Sequence, residues 1–242
     1  MSDAMFDGSR DRRLLWAARV IGVIAVSALA SRADAQIPGA PVLQNAWATP
    51  GVSAAVNFAG SSGQSVIAAA AAWSRSSGRF QISGGIGYQN RSDFDGRVVY
   101  GGRVAIPFGS PSDAFGLAAF AGIGGGPAGQ REFAVNTVTG ARIMVDDTLS
   151  STLQVPLGAS VGYRLALGSH GLTVYAAPAW VIYSGGETTD GLFRAAIGAD
   201  FGITRSLGAT AGFDFGGNRS KDVGGPSSAQ FGVGVSYAFG RR

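Results

Sequence analysis

Phe80-Gln81-Ile82-Ser83-Gly84-Gly85-Ile86-Gly87-Tyr88 is the stretch on which the reading of the fold turns. Taken two residues at a time, it puts Phe80, Ile82, Gly84, Ile86 and Tyr88 on one side and Gln81, Ser83, Gly85 and Gly87 on the other. A two-residue period is that of a β-strand, whose successive side chains point to opposite faces. The same alternation returns along most of the chain after residue 50. Its meaning depends on which face meets solvent. A soluble barrel or sandwich hides bulky apolar side chains and shows charge outside. Here the non-aromatic face is mostly Gly, Ala and Ser with scattered charge, which would leave a dry interior unfilled. The apolar face is therefore expected to point outward, towards lipid.

Ten segments have about the 9 to 11 residues of a tilted membrane strand. Their cores are 52–59, 65–74, 79–89, 97–108, 114–123, 152–167, 172–183, 192–203, 207–215 and 229–239. The connections alternate in length. Arg75 to Gly78, Gly109 to Asp113, Gly168 to Gly171 and Thr204 to Ser206 read as short turns. Asn90 to Gly96, Gly124 to Ser151, Ser184 to Gly191 and Gly216 to Ser228 read as longer links, with the short Gly60 to Gln64 as the exception. Short periplasmic turns and longer outside loops are the asymmetry of an outer-membrane barrel. Within the longest link, Phe133, Val135, Ile143 and Val145 flank Thr139-Gly140 and predict a hairpin too short to cross a membrane. The expected fold is all-β: an antiparallel transmembrane up-and-down barrel of about ten strands, with eight or twelve as alternatives.

Charge placement follows the same parity. In 192–203, Phe193, Ala195, Ile197, Ala199, Phe201 and Ile203 oppose Arg194, Gly198, Asp200 and Gly202. In 152–167 the odd series from Leu153 to Leu165 opposes Gln154, Ser160 and Arg164; Arg103 opposes Tyr100, Val104 and Ile106, and Asp214 opposes Phe213 and Phe215. A cation facing lipid at mid-membrane costs roughly 2–4 kcal/mol. Arg103, Arg164, Arg194, Asp200 and Asp214 are therefore expected in the lumen, as an ionic network bracing it or as a weakly selective constriction. Phe80, Tyr88, Phe108, Phe115, Phe193, Phe215, Phe231 and Phe239 lie near segment ends with outward parity, as interfacial girdles would.

The first 35 residues read as a cleaved signal peptide. Arg10, Arg12, Arg13 and Arg19 precede an apolar run from Val20 to Ala30, and Ala33-Asp34-Ala35 offers the cleavage site. The run falls short of the ~20 residues of a spanning helix, and an ordinary basic leader explains Arg12-Arg13 without a twin-arginine route. Residues 36–51, with Pro38, Pro41 and Pro50, read as a periplasmic lead-in with Trp47 on a loose arm, and 52–242 as the barrel. Cysteine is absent, which removes disulfides and thiolate metal sites. The leader carries five of the nineteen basic residues and four of the fifteen acidic ones, leaving a mature chain near neutrality. Its arginines are scattered and Lys221 is the only lysine, so the clustered footprint of a nucleic-acid binder is missing.

The signal peptide, the alternating turns and the final strand Phe231-Gly-Val-Gly-Val-Ser-Tyr-Ala-Phe239 resemble small bacterial outer-membrane β-barrel proteins of the porin and opacity type. The resemblance implies that Phe231, Val233, Val235, Tyr237 and Phe239 are read by the barrel-assembly machinery. This chain departs from the usual ending by adding Gly240-Arg241-Arg242. Omptin-type proteases and lipid A deacylases are also small barrels, but their histidine-dependent sites belong at the outer end. His170, the only histidine, sits in an expected periplasmic turn, so neither site carries over.

One histidine without cysteine leaves no Ser-His-Asp, Cys-His or His-rich zinc arrangement. Asp93 with Asp95 and Asp146 with Asp147 are the closest carboxylate pairs; without a ligand set or nucleophile they read as solvated loop charges. Gly122 to Pro127 lacks the spacing and lysine of a phosphate loop and reads as a strand end. The expected function is non-enzymatic: a structural envelope component, or a narrow passive pore for small solutes, in the bacterial outer membrane. The alternative is a surface adhesion or interaction protein using 124–151, followed by an enzyme acting on lipid or peptide. No cofactor or metal is expected. The expected partners are outer-membrane lipid, lipopolysaccharide and the assembly machinery, with oligomeric state left open.

Overall fold

A computed structural model describes residues 46–48, 50–75, 77–91, 94–110, 112–130, 134–135, 139, 142–143, 148–167, 170–186, 188–217 and 228–239. The expected signal peptide, most of the lead-in, Asp93, Asp146, Asp147 and the Gly240 to Arg242 ending lie outside these residues.

Ten strands close on themselves. They are β1 (Gly51–Ser61), β2 (Gln64–Ser74), β3 (Gln81–Arg91), β4 (Phe94–Phe108), β5 (Phe115–Gly126), β10 (Thr152–Leu167), β11 (His170–Gly185), β12 (Thr188–Gly202), β13 (Leu207–Gly216) and β14 (Ala229–Ala238). Each pairs antiparallel with its chain neighbours, and β14 returns to β1 through Ser53↔Ala238 to Gly60↔Phe231, so no edge is left unpaired. The expected count of ten is thereby found, and the eight- and twelve-stranded alternatives fall away. The hairpin expected in the long link is present as a pair of two-residue strands, β7 (Ala134–Val135) and β8 (Arg142–Ile143). It extends from a second pair, β6 (Gly129–Gln130) with β9 (Thr148–Leu149), beyond the barrel rim.

The connection lengths depart from expectation. Residues 90–96 and 184–191 were expected as long outer links, yet β3 runs to Arg91 and β4 begins at Phe94, while β11 runs to Gly185 and β12 begins at Thr188. Backbone pairing continues here past the point where the apolar alternation stops. Thr188, Thr189 and Asp190 are exposed and polar, and a ladder that has left the lipid needs no apolar face. Gly186, with φ of +61°, supplies the left-handed residue that a tight reversal requires. Long connections remain only between β5 and β10 and between β13 and β14, both at one end, called here the loop end. The opposite, terminal end holds the start of β1 and the end of β14.

Over the middle of the strands burial alternates with parity. Phe58, Ile67, Tyr88, Tyr100, Trp180, Phe193, Ile197 and Phe231 stand exposed on the outer wall, while Ser53, Asn57, Gln81, Ser83, Gln154, Ser160 and Gln230 are buried inside. Ile67 and Trp73 both face outward, which fixes the alanine-rich β2 with Ala68, Ala70 and Ala72 in the interior. The register seats Trp180 against Phe193 near the loop end and Tyr163 against Phe115 near the terminal end. Aromatic residues thus mark both margins of the outer wall, with Ile86, Val104, Ile197 and Val235 between them.

Candidate functional site

The interior is built by the strands' inward parity, and its charged residues sit where several strands can meet them. Arg194 on β12 donates from Nε to Asp214 Oδ1 on β13 at 3.0 Å, and its Nη2 lies 2.7 Å from the same oxygen. Its Nη1 donates to the carbonyl of Gly217 at 2.6 Å, tying the pair to the connection above β13. Arg103 on β4 passes over the inner face of β5 to donate from Nη2 to Ser160 Oγ on β10 at 3.0 Å, with its guanidinium 4.1 Å over the Phe120 ring of β5. Asp200 is buried on β12, with Thr173 and Thr210 as its neighbours in register. Arg164 on β10 stacks 4.2 Å from the Trp47 ring. All five charged positions expected in the lumen thus have inward parity, and Arg194 with Asp214 form a direct ion pair.

Sequence reasoning did not single out Arg97. This buried β4 residue donates from Nε to Gln89 Oε1 at 2.8 Å and from Nη1 to the carbonyl of Pro127 at 3.2 Å, securing the root of the long loop. Its parity is that of Arg103, six residues on, and that was the available signal.

Trp47 corrects the expectation of a loose arm. Ala46, Trp47 and Ala48 are buried at the terminal end of the barrel. The indole lies against Gly116 of β5 and Gly162 of β10, and a methyl group at either glycine would overlap it. The two glycines leave room for a ring that brings its own partner, Arg164.

The interior is also fuller than its small residues suggested. Phe120, Tyr183 and Val181 pack with Ala105, Ala177, Ala179 and Ala196 into one cluster, and Val66 and Val99 pack with alanines of β1 and β2 into another. Tyr175 faces inward as well. A barrel of about eight strands has a lumen that side chains just fill, and ten strands widen it modestly. Phe120 is 5 % exposed, Arg103 2 % and Arg194 4 %, so these side chains are closely packed within the barrel. Asn57 Oδ1, Gln81 Nε2, Thr210 Oγ1 and Gln230 Nε2 are buried without a protein partner among the described residues, and groups of this kind are met by isolated internal waters.

Arginines, glutamines and serines buried inside a wall of exposed large apolar side chains invert the pattern of a soluble protein. The chain has the architecture of a transmembrane β-barrel. Neither a protein-family model nor a curated protein matches it. Solved structures that resemble it include the β domain of the Bordetella autotransporter Brka, with 18% identity and a TM-score of 0.41 over 79% of this chain and 100% of that one. The translocator domain of the autotransporter NalP from Neisseria meningitidis has 13% identity and a TM-score of 0.43 over 79% and 90%. The N-terminal β-barrel domain of Pseudomonas aeruginosa OprF has 11% identity and a TM-score of 0.35 over 84% and 98%. At these scores the likeness is one of outline, and nothing about activity follows from it.

Of the residues that sequence reasoning weighed for chemistry, His170 and the Gly122 to Pro127 stretch lie among the described residues. His170 opens β11 at the terminal end, exposed, with its ring stacked 5.5 Å from Phe201 and Nδ1 3.1 Å from the carbonyl of Gly202. Phe231, Val233, Val235, Tyr237 and Phe239 form one outward row along the closing strand, with Tyr237 and Phe239 in edge contact at 5.4 Å.

Proposed function

We propose that this chain is a non-enzymatic structural component of the bacterial outer membrane, a filled barrel that holds its place in the envelope without conducting solutes. The observation that carries this reading is the inverted wall: large apolar side chains stand exposed on every barrel strand while arginines, glutamines and serines are buried within. Exposing such a surface to water forfeits roughly 25 cal/mol for each Å² of apolar area, a cost that lipid removes. The basic leader and its A-x-A site supply the export route, and the loop end then faces outward with lipopolysaccharide around it. The outward row of β14 is the surface offered to the assembly machinery. Between a pore and a support, the packing favours the support. The Phe120–Tyr183 cluster and the Arg103 bridge occupy the lumen, and Trp47 fills the terminal mouth.

Planar-bilayer recording of the refolded mature protein tests this directly. The expected trace is flat in several salts, from protein whose heat-modifiable migration shows it folded. Stepwise conductance from that same protein contradicts the filled-lumen reading.

A further inference from the structure

The β2–β3 connection (residues 75–80) and the β4–β5 connection (109–114) stand next to each other at the terminal end, because β3 and β4 are paired. Between them opens a cleft of about 1020 Å³, lined by Arg75, Arg79, Phe80, Ile106, Phe108 and Ser110 among others. Its chemistry is split. Phe80, Ile106 and Phe108 are outer-wall side chains, 38 %, 48 % and 53 % exposed, and they give the cleft an apolar floor continuous with the lipid-facing surface. Arg75 and Arg79 are exposed at its mouth, and among the described residues neither guanidinium makes an ion pair or hydrogen bond. Asp113, the carboxylate of the neighbouring turn, lies outside the lining and accepts the Ser110 N–H at 2.7 Å.

Two unengaged guanidinium groups above an apolar floor, at the margin of a lipid-facing wall, match one kind of molecule. We propose that the cleft is a binding site for an anionic phospholipid. Arg75 and Arg79 hold the phosphodiester, for which the guanidinium fork is suited, and the acyl chains lie along Phe80, Ile106 and Phe108. The inference rests on the membrane reading above. In that orientation the terminal end meets the phospholipid leaflet on the periplasmic side, so the occupant is a phospholipid and not the lipopolysaccharide of the other face. Juxtamembrane arginines attract anionic headgroups in the same way in other settings.

The test is native mass spectrometry of the detergent-folded mature protein, titrated with phosphatidylglycerol or with phosphatidylcholine of identical chains. The expected result is one retained phosphatidylglycerol, at an apparent affinity about tenfold above that for phosphatidylcholine. Arg75→Gln with Arg79→Gln lowers retention to the phosphatidylcholine level, each single change lowers it part-way, and heat-modifiable migration stays as in the wild type. Arg205→Gln, in the β12–β13 turn at the same end, leaves retention unchanged, and excess inorganic phosphate does not displace the lipid. Equal retention by wild type and the double variant overturns the site, as does equal loss with Arg205→Gln or displacement by phosphate. A mature chain that stays monomeric in water without detergent would instead overturn the membrane reading beneath it.

Discussion

Arg194 and Asp214 show what a charge costs inside this barrel and what offsets it. The pair is held by two short contacts and by the Gly217 carbonyl, with side chains 5% and 16% exposed. Breaking a buried pair from one side strands the remaining charge, while replacing both members by apolar groups of similar volume is often neutral. Asp214→Ala is therefore expected to lower unfolding free energy by about 3–5 kcal/mol, with Arg194→Met/Asp214→Leu recovering most of it in urea titrations of vesicle-folded protein. A double variant as weak as the single one contradicts this account. The inward parity of both residues was legible because Phe193 and Phe215 beside them so clearly belong to the other face. Their contact was not, since it depends on the register that sets Ala196 opposite Asp214. Trp47 was harder still. It lies in a segment without period, and Gly116 and Gly162 reveal their purpose only once β5 and β10 are brought together around the ring.

Strands were legible in proportion to the contrast between their faces. In β14 from Gln230 onward each large apolar residue alternates with a small or polar one, and in β12 Phe193, Ile197 and Phe201 oppose Arg194, Gly198 and Asp200, so segments and faces were both readable. In β11 the segment was readable as 172–183 but its faces were not. Val174, Trp180 and Ile182 point outward while Tyr175, Val181 and Tyr183 point inward, which leaves no polar face to orient the strand. The large inward residues are what fill the lumen, so the strand that best reveals a closed barrel is the one whose sequence says least about its faces. The links at 90–96 and 184–191 were misjudged for a related reason: alternation reports contact with lipid, whereas hydrogen-bond pairing extends into water without it. β12 offers the comparison within one strand. Thr189 and Ile197 share its outer face, Thr189 near the loop-end tip and Ile197 at mid-wall beside Ala176 and Phe213. Ile197→Arg is expected to cost about 2–4 kcal/mol and Thr189→Arg close to nothing in the same refolding assay. Similar costs at both positions would contradict a lipid boundary that crosses this strand.

For the whole molecule, the ring of ten strands, the inverted faces and the filled interior belong to one arrangement. Closure leaves no strand edge for lipid to meet, the outer wall supplies the apolar contact, and inner charged groups such as Arg103 and Arg194 find partners on other strands. The tryptophans of the mature chain divide across that boundary: Trp73 and Trp180 stand on the outer wall, 48 % and 52 % exposed, and Trp47 is enclosed at 6 %. Single-tryptophan variants, with the other two replaced by Phe, can be folded into vesicles whose acyl chains carry bromine, a contact quencher of indole fluorescence. Strong quenching of Trp73 and Trp180 with Trp47 left bright is the expected result. Quenching of Trp47 with Trp73 and Trp180 untouched would mean that the faces have been assigned the wrong way round.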